Sequence, residues 1–246
     1  MVVDFFFCLG NICRYLLLLR WQNAKPQPRV AVSAFHLYNF LMLVRVYIDG
    51  FNLYYGALKN TPYKWLDVEK MCSFLFPQDT ISTIKYFTAP VRVRANDTDL
   101  DKPNRQQIYL RALRTIEGLE VIEGNFLTHV VKMKNAQGTG FTAVIKTEEK
   151  GTDVNIASHI INDAHNGAFE LAVVISNDSD LVEPVRIIVE ELKLPVIVVS
   201  PYINNSIQLK NTASSVRKIR SGLLGASQFP NTLTDSVGHF TKPSVW

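Results

Sequence analysis

Sulfur is scarce in this sequence. Three cysteines, Cys8, Cys13 and Cys72, are spread over 246 residues with no CxxC spacing. That arrangement builds neither a disulfide framework nor a cysteine-ligated zinc site, and it fits a reducing, intracellular setting. No GxGxxG or P-loop signature opens a helix, which removes the usual phosphate cradle of a nucleotide cofactor. Internal repeats and low-complexity blocks are lacking as well. Charge of one sign is also short: the net charge is only +4, and three of those four surplus charges come from residues 1–41, where Arg14, Arg20, Lys25 and Arg29 stand against Asp4 alone. Bulk charge therefore carries no argument for a nucleic-acid partner, which must come from local clusters.

A long uncharged apolar run is missing too. The opening MVVDFFFCLGNICRYLLLLRW comes nearest, but Asp4 stands where a signal peptide wants positive charge, and Asn11 and Arg14 interrupt the apolar stretch. A spanning helix needs about 20 consecutive apolar residues. The segment then meets KPQPR, which cannot continue a helix. Residues 1–41 are read as an N-terminal extension outside the fold, residues 42–221 as the domain, and residues 222–246 as a C-terminal tail. No membrane partner is expected.

What is present is an ordinary folding composition, 47% apolar and 20% charged, in a chain long enough for one α/β domain with a two-sided core. From Leu43 onward β-rich runs alternate with helical patterns, the mark of a parallel sheet covered on both faces. VRVYID, ISTIKYFTA, LAVVIS and LPVIVVS read as strands, and the unbroken apolar run of LAVVIS puts it at the centre. DVEKMCSFLF, PNRQQIYLRALRTIEGL and LVEPVRIIVEEL read as helices. Another helix is expected from about Asp153 to Asn166, with Val154, Ala157, Ile160, Ile161 and Ala164 on its apolar face and Asp163 off it. FLTHVVKMK and FTAVIKTE flank NAQGTG as an inserted β-hairpin. After Tyr202 a polar helical segment precedes the tail.

In an open parallel sheet, ligands bind beyond the carboxyl ends of the strands. Asp49 ends the first strand, Asp178 and Asp180 follow LAVVIS, and Asp153 starts the helix leading into it. Four carboxylates from three segments can thus meet at one edge. Unpaired, they repel and raise one another's pKa values, and a divalent cation removes that cost. Oxygen ligands without histidine or cysteine suit Mg²⁺ or Mn²⁺, which act on phosphates and activate water. Each aspartate alone is equally a helix cap or first-turn charge. Asp49 stands apart because its strand is apolar and Gly50 leaves room for a close ligand. Asn52, Ser176 and Lys150 are candidate substrate contacts, with capping and loop roles as their plain alternatives; Ser176 can donate to a carboxylate instead. His159 and His165 read as surface or packing residues. Val91–Arg94, Arg105, Arg111, Arg114, Lys210, Arg217, Lys218 and Arg220 are local cations that suit either a phosphate backbone or a solvated face.

With those residues in view, YIDGFNLYYG at 47–56, EEKGTDVNIASHII at 148–161 and VVISNDSDLVEPVR at 173–186 resemble the NYN domain of the PIN-like nuclease superfamily, in its LabA-like branch. The resemblance covers residues 43–220. It implies a PIN-like (Rossmannoid) three-layer α/β/α domain with a central, mostly parallel sheet, and metal-dependent cleavage of RNA. Asp49 and Asn52 match the family's first acidic position and its asparagine. Asp153 matches the acid at the helix start, and Ser176, Asp178 and Asp180 match its SxDxD signature. A haloacid-dehalogenase site would need a second acid where Phe51 stands, and a Toprim site a glutamate after the first strand, where the chain has Asp49-Gly50.

The expected function is a Mg²⁺- or Mn²⁺-dependent ribonuclease-type phosphodiesterase of the cytoplasm, with Asp49, Asp153, Asp178 and Asp180 as metal ligands and catalytic acids. Single-stranded RNA is the expected partner, with room for a homodimer and no nucleotide cofactor. The alternative is a nucleic-acid-binding regulator that keeps the acidic pocket without turnover.

Overall fold

A computed structural model describes residues 42–93, 97–136 and 138–246. The expected N-terminal extension lies outside them, as does Arg94 of the cationic run at 91–94. Six strands form the central sheet: β1 (Leu43–Asp49), β2 (Thr80–Thr88), β3 (Leu119–Glu123), β6 (Leu171–Ile175), β7 (Val196–Ser200) and β8 (Ser215–Lys218). Their order is β3-β2-β1-β6-β7-β8, and every neighbouring pair is parallel. The chain therefore lays strands outward from β1 on one side, then restarts beside β1 with β6 and proceeds the other way. The carboxyl ends of β1 and β6 flank the point where strand order reverses, which is where such sheets open a crevice.

The sheet is buried on both faces, as its apolar strands require. Val44, Val46 and Ile48 of β1 share one core with Trp65, Met71, Leu110 and Leu113. Tyr47 faces the other, with Phe87, Val174, Ile156, Ile160 and Ile188. The helices that supply these layers are α1 (Gly50–Leu53, running on as a wider π turn Tyr54–Leu58), α2 (Val68–Leu75), α3 (Lys102–Leu113) and α4 (Thr152–His165). A 3₁₀ turn, Ser179–Leu181, leads into α5 (Val182–Arg186, continuing as Ile187–Glu191), followed by α6 (Ile207–Thr212) and α7 (Ser221–Ala226). The domain is the expected three-layer α/β/α fold, and β4 (Asn125–Lys134) with β5 (Phe141–Lys150) form the expected antiparallel hairpin.

Several expectations change. The helix after Pro103 stops at Leu113 rather than near Gly118, because the chain turns there and Gly118 takes φ +73 to feed β3. The polar segment after Tyr202 divides into α6 and the edge strand β8. Residues expected as a tail carry α7 and a hairpin, β9 (Thr232–Asp235) with β10 (Gly238–Thr241). Phe229 and Phe240 from this stretch are core residues, and the Trp65 indole donates to the Pro230 carbonyl at 2.8 Å.

The buried stripe of α4 also differs from the expected one. It runs through Thr152, Ile156, Ile160, Asp163 and Ala164, while Val154 is 67% exposed. Asp163 is accepted in this stripe because charge meets it on the sheet. Lys85 Nζ lies 2.7 Å from its carboxylate, Arg45 lies 3.0 Å away, and the Tyr47 hydroxyl donates at 2.7 Å. Lys85 and Tyr47 are register neighbours on β2 and β1, so one carboxylate clamps α4 across both strands. Lys85 also reaches His159 Nδ1 at 3.3 Å, and that ring packs edge-on against Phe87. Burial pushes the Asp163 carboxyl up, but hydrogen bonds from Lys85 and Tyr47 and the Lys85 and Arg45 cations outweigh it, and the net shift is downward.

Removing one member of a buried ion pair leaves the other uncompensated, so Asp163→Asn should cost about 3 kcal/mol in urea unfolding at pH 7. A depressed carboxylate contributes fully above its unfolded value and loses that contribution as pH falls through the folded one. The gap between wild type and Asp163→Asn should accordingly narrow below about pH 4. A gap that stays constant down to pH 3 would show that the charge of Asp163 contributes nothing.

Candidate functional site

The crevice at the β1/β6 ends is organised by Asp49, a 5%-exposed carboxylate that serves two elements. Its Oδ1 accepts from Asn52 N at 2.9 Å, capping α1, and its Oδ2 accepts from Ser176 Oγ at 3.1 Å. Ser176 is fully buried just past β6, and its Oγ in turn accepts from Asp178 N at 3.1 Å. Of the two partners expected for Ser176, the structure supplies the carboxylate. Asp178 caps the 3₁₀ turn by accepting from Asp180 N at 3.0 Å. A continuous chain of hydrogen bonds thus runs Asn52, Asp49, Ser176, Asp178, Asp180 from one strand end to the next.

Asn52 adds a second tie, since its Oδ1 accepts from Asn177 N at 2.9 Å. Asn177 then fixes the next strand end: its Oδ1 accepts from Ser206 N at 2.7 Å and from Ser200 Oγ, while its Nδ2 donates to the Asn204 carbonyl. This residue was not singled out from the sequence, although it lies inside the SNDSD motif. Its amide, between Ser176 and Asp178, was the available signal.

Asp153 enters from α4. Gly151, at φ +96, turns the chain out of β5 into that helix, a conformation that favours glycine. Burial first, then the charges of Asp178 and Asp180, push the Asp153 carboxyl above its ordinary range. The charges of Asp178 and Asp180 therefore reach Asp153 across from another element. The charge of Asp49 reaches the same place, since the hydroxyl of Tyr202 is pushed up by burial and then by Asp49 and Asp178. Lys150 ends β5, exposed, one residue before Gly151.

Gly50 proves to serve packing rather than a ligand. A Cβ there would stand 2.7 Å from the Tyr86 ring and 2.8 Å from the Phe87 carbonyl, so the space is already occupied by β2. The arginine cluster is likewise largely committed inside the fold. Arg105 pairs with Asp99, Arg114 with Glu123, and Arg111 makes a two-pronged contact to Asp235 at 2.7 Å while lying over the Phe240 ring. Arg217 sits over Phe76 and Lys218 donates to the Ile203 carbonyl. These cations do not form a free stripe for a phosphate backbone.

Among the described residues, no three His, Cys, Asp or Glu side chains stand in a ready-made metal-holding group. Nor is any described helix long and apolar enough to cross a membrane.

A curated relative, the 6-hydroxy-3-succinoylpyridine 3-monooxygenase HspA of Pseudomonas putida (strain DSM 28022 / S16), is 29% identical over 234 residues, spanning 82% of this chain and 74% of its own. The crystal structure of a protein of unknown function from Vibrio parahaemolyticus RIMD 2210633 aligns with a TM-score of 0.49 and 18% identity, over 74% of this chain and 94% of that one. The model of the NYN domain matches residues 43–220, from the first residue of β1 to the end of the sheet, with every acid of the crevice inside it. The chain belongs to the NYN domain family of the PIN-like nuclease superfamily.

Proposed function

We propose that the chain is a metal-dependent ribonuclease-type phosphodiesterase of the cytoplasm, in the LabA-like branch of its family. The observation that carries this reading is the gathering of acids at the crevice: hydrogen bonds link Asp49, Ser176, Asp178 and Asp180 at the β1/β6 ends, and the carboxyl of Asp153, on a helix, is pushed up by burial and then by Asp178 and Asp180. Like charges brought together at a strand edge raise the free energy of the fold, and perturbed carboxylates of this kind cluster at functional sites.

The donor set fits Mg²⁺ or Mn²⁺ in chemistry, being carboxylate oxygen throughout. It is not a closed ligand cage, and repulsion gives the physical reason: like charges lower their energy by standing apart. Asp49, Asp153 and Asp178 would hold the ion, with Asp180 bearing on it through water or orienting the substrate. When bound, the ion supplies positive charge to the phosphate oxygens and lowers the pKa of a water. The protein's own part is positional. Ser176 keeps the Asp49 and Asp178 carboxylates in register, Asn52 ties α1 to the β6 end, and Lys150 stands at the rim as a phosphate contact.

A second reading follows from the Pseudomonas relative, named for oxygenation of a hydroxypyridine. Carried to this chain, it would make the crevice a site for a small heteroaromatic substrate rather than for RNA.

Full-length protein incubated with labelled single-stranded RNA should cut it in Mn²⁺ or Mg²⁺ and not in chelator, and Asp178→Asn should lower the rate at least about 100-fold, in line with the several kcal/mol such charge stabilisation supplies. Tight binding with no cleavage in any metal would sink the enzyme and leave a binding regulator. Cleavage undiminished in Asp178→Asn would place the chemistry elsewhere.

Stability provides an independent check. A carboxylate whose folded pKa is raised stabilises the fold only below its unfolded value, and penalises it once pH rises through the folded one. At pH 7 in chelator, Asp153→Asn should therefore melt higher than wild type. Added Mn²⁺ should raise the melting temperature of wild type and leave that of Asp153→Asn nearly unchanged. An equal rise in both would show that Asp153 is not a ligand.

A further inference from the structure

Beside the carboxylates, α1 turns aromatic rings outward. Phe51 and Tyr55 are four residues apart on one helix face and stack, with centroids 6.4 Å apart and planes 23° from parallel. Phe126, at the root of β4, packs edge-on against Phe51 at 5.8 Å. Tyr55 nevertheless remains 55% exposed. Lys59 Nζ lies 5.0 Å from the Tyr55 ring centroid, which keeps a cation next to the exposed face.

A second ring arrives from the other side of the strand-order reversal. Tyr202 follows β7 and lies on α1 so closely that a Cβ at Gly56 would stand 2.7 Å from the ring. Its position is set by Ser200 Oγ, which accepts from Tyr202 N at 3.2 Å and is tied to Asn177. Burial, Asp49, Asp178 and Tyr55, in that order, push its hydroxyl upward, and its contact with Gly56 puts it one residue along the chain from Tyr55. Partly exposed rigid rings, with the mobile Lys59 ammonium over Tyr55 able to shift onto an anion, make a surface for stacking a flat ring that carries or accompanies negative charge.

We propose that Tyr55, backed by Phe51 and flanked by Tyr202, is a stacking shelf for one planar heteroaromatic ring presented to the carboxylate crevice. Two sources have this chemistry: the base of the nucleotide whose phosphate meets the acids, and a free hydroxypyridine. The first deepens the ribonuclease reading and rests on it; the second does not.

The test measures equilibrium binding to the full chain, in chelator, of a short labelled single-stranded RNA, of an abasic sugar–phosphate strand of equal length, and of 6-hydroxypyridine-3-carboxylate. Wild type should prefer the base-bearing strand by roughly tenfold, the lower part of the range for one aromatic–base stack. Tyr55→Leu should abolish the preference and Tyr55→Phe should keep it, with Tyr202→Leu as a second probe expected to weaken it. Binding of the pyridine alone, lost in Tyr55→Leu and kept in Tyr55→Phe, would uphold the shelf for a free ring, and absence of metal-dependent cleavage in the same preparation would then remove the ribonuclease reading. Equal affinity for the two strands with no pyridine binding would overturn the shelf, and metal-dependent cleavage in that same preparation would leave the nuclease standing. A base preference that survives in Tyr55→Leu would overturn it as well, by putting the ring elsewhere.

Discussion

The carboxylate of Asp163 lies against the sheet with an ammonium, a guanidinium and a phenol around it, and the position of α4 follows from that contact. A helix packed only by aliphatic residues can slide or roll by a fraction of a turn at small cost, because dispersion and burial are not directional. A buried ion pair with a hydrogen-bonded third partner has no such freedom: displacement leaves uncompensated charge in the interior. Because Lys85 and Tyr47 sit on adjacent strands in register, the constraint fixes α4 both along and across the sheet. The other end of the same helix carries Asp153. One helix therefore bears a carboxylate whose charge is compensated and, ten residues earlier, one held above its ordinary range by burial and its acidic neighbours. The first makes the second tolerable, since the strain at the helix start is opposed by an anchor near its end.

The same logic shows why a capping role at the strand ends leaves room for the proposed ligand role. A carboxylate has two oxygens and about four lone pairs, so a single N–H from a cap does not exhaust it. Asp178 uses Oδ1 for the Asp180 amide, and that bond stiffens the side chain instead of consuming it. Asp49 is stiffened further, from α1 and from Ser176. Helix capping here is the means by which acids are held at the crevice, and the choice between cap and ligand posed by the sequence dissolves.

Legibility from sequence followed physical range. LAVVIS was readable as a central strand because burial on both faces leaves an unbroken apolar run, and the hairpin because alternation and glycines are local signals. The convergence of Asp49, Asp178 and Asp180 was readable because strand ends are set by the same pattern. Asp163 was not, since its burial depends on Lys85, 78 positions away, and periodicity assigns any aspartate to the solvent side. The commitment of Arg111 to Asp235 was hidden for the same reason, being a contact across 124 positions that made a structural ion pair look like a surface cation. β8 is a short edge strand whose burial pattern is mostly exposed, so it lacks the alternation that marks longer strands. Gly50 misled because a glycine beside an acid has the same sequence whether the space above it holds a ligand or, as here, the Tyr86 ring.

The two readings proposed for the crevice ask different things of one scaffold, and the fold is compatible with either. What the strand-order reversal provides is a place where backbone ends splay and acids collect; it specifies charge and rigidity, not substrate. Selection between a polymer and a small ring must then come from residues outside the hydrogen-bonded acid chain. The proposed shelf would supply them from rings on α1 and after β7, outside the hydrogen bonds that join Asp49, Ser176 and Asp178. A substitution at Tyr55 changes an exposed ring, whereas one at Ser176 would release two acids at once. Change at the aromatic rim therefore costs the scaffold less than change at Asp49 or Ser176, whose hydrogen bonds join one strand end to the next.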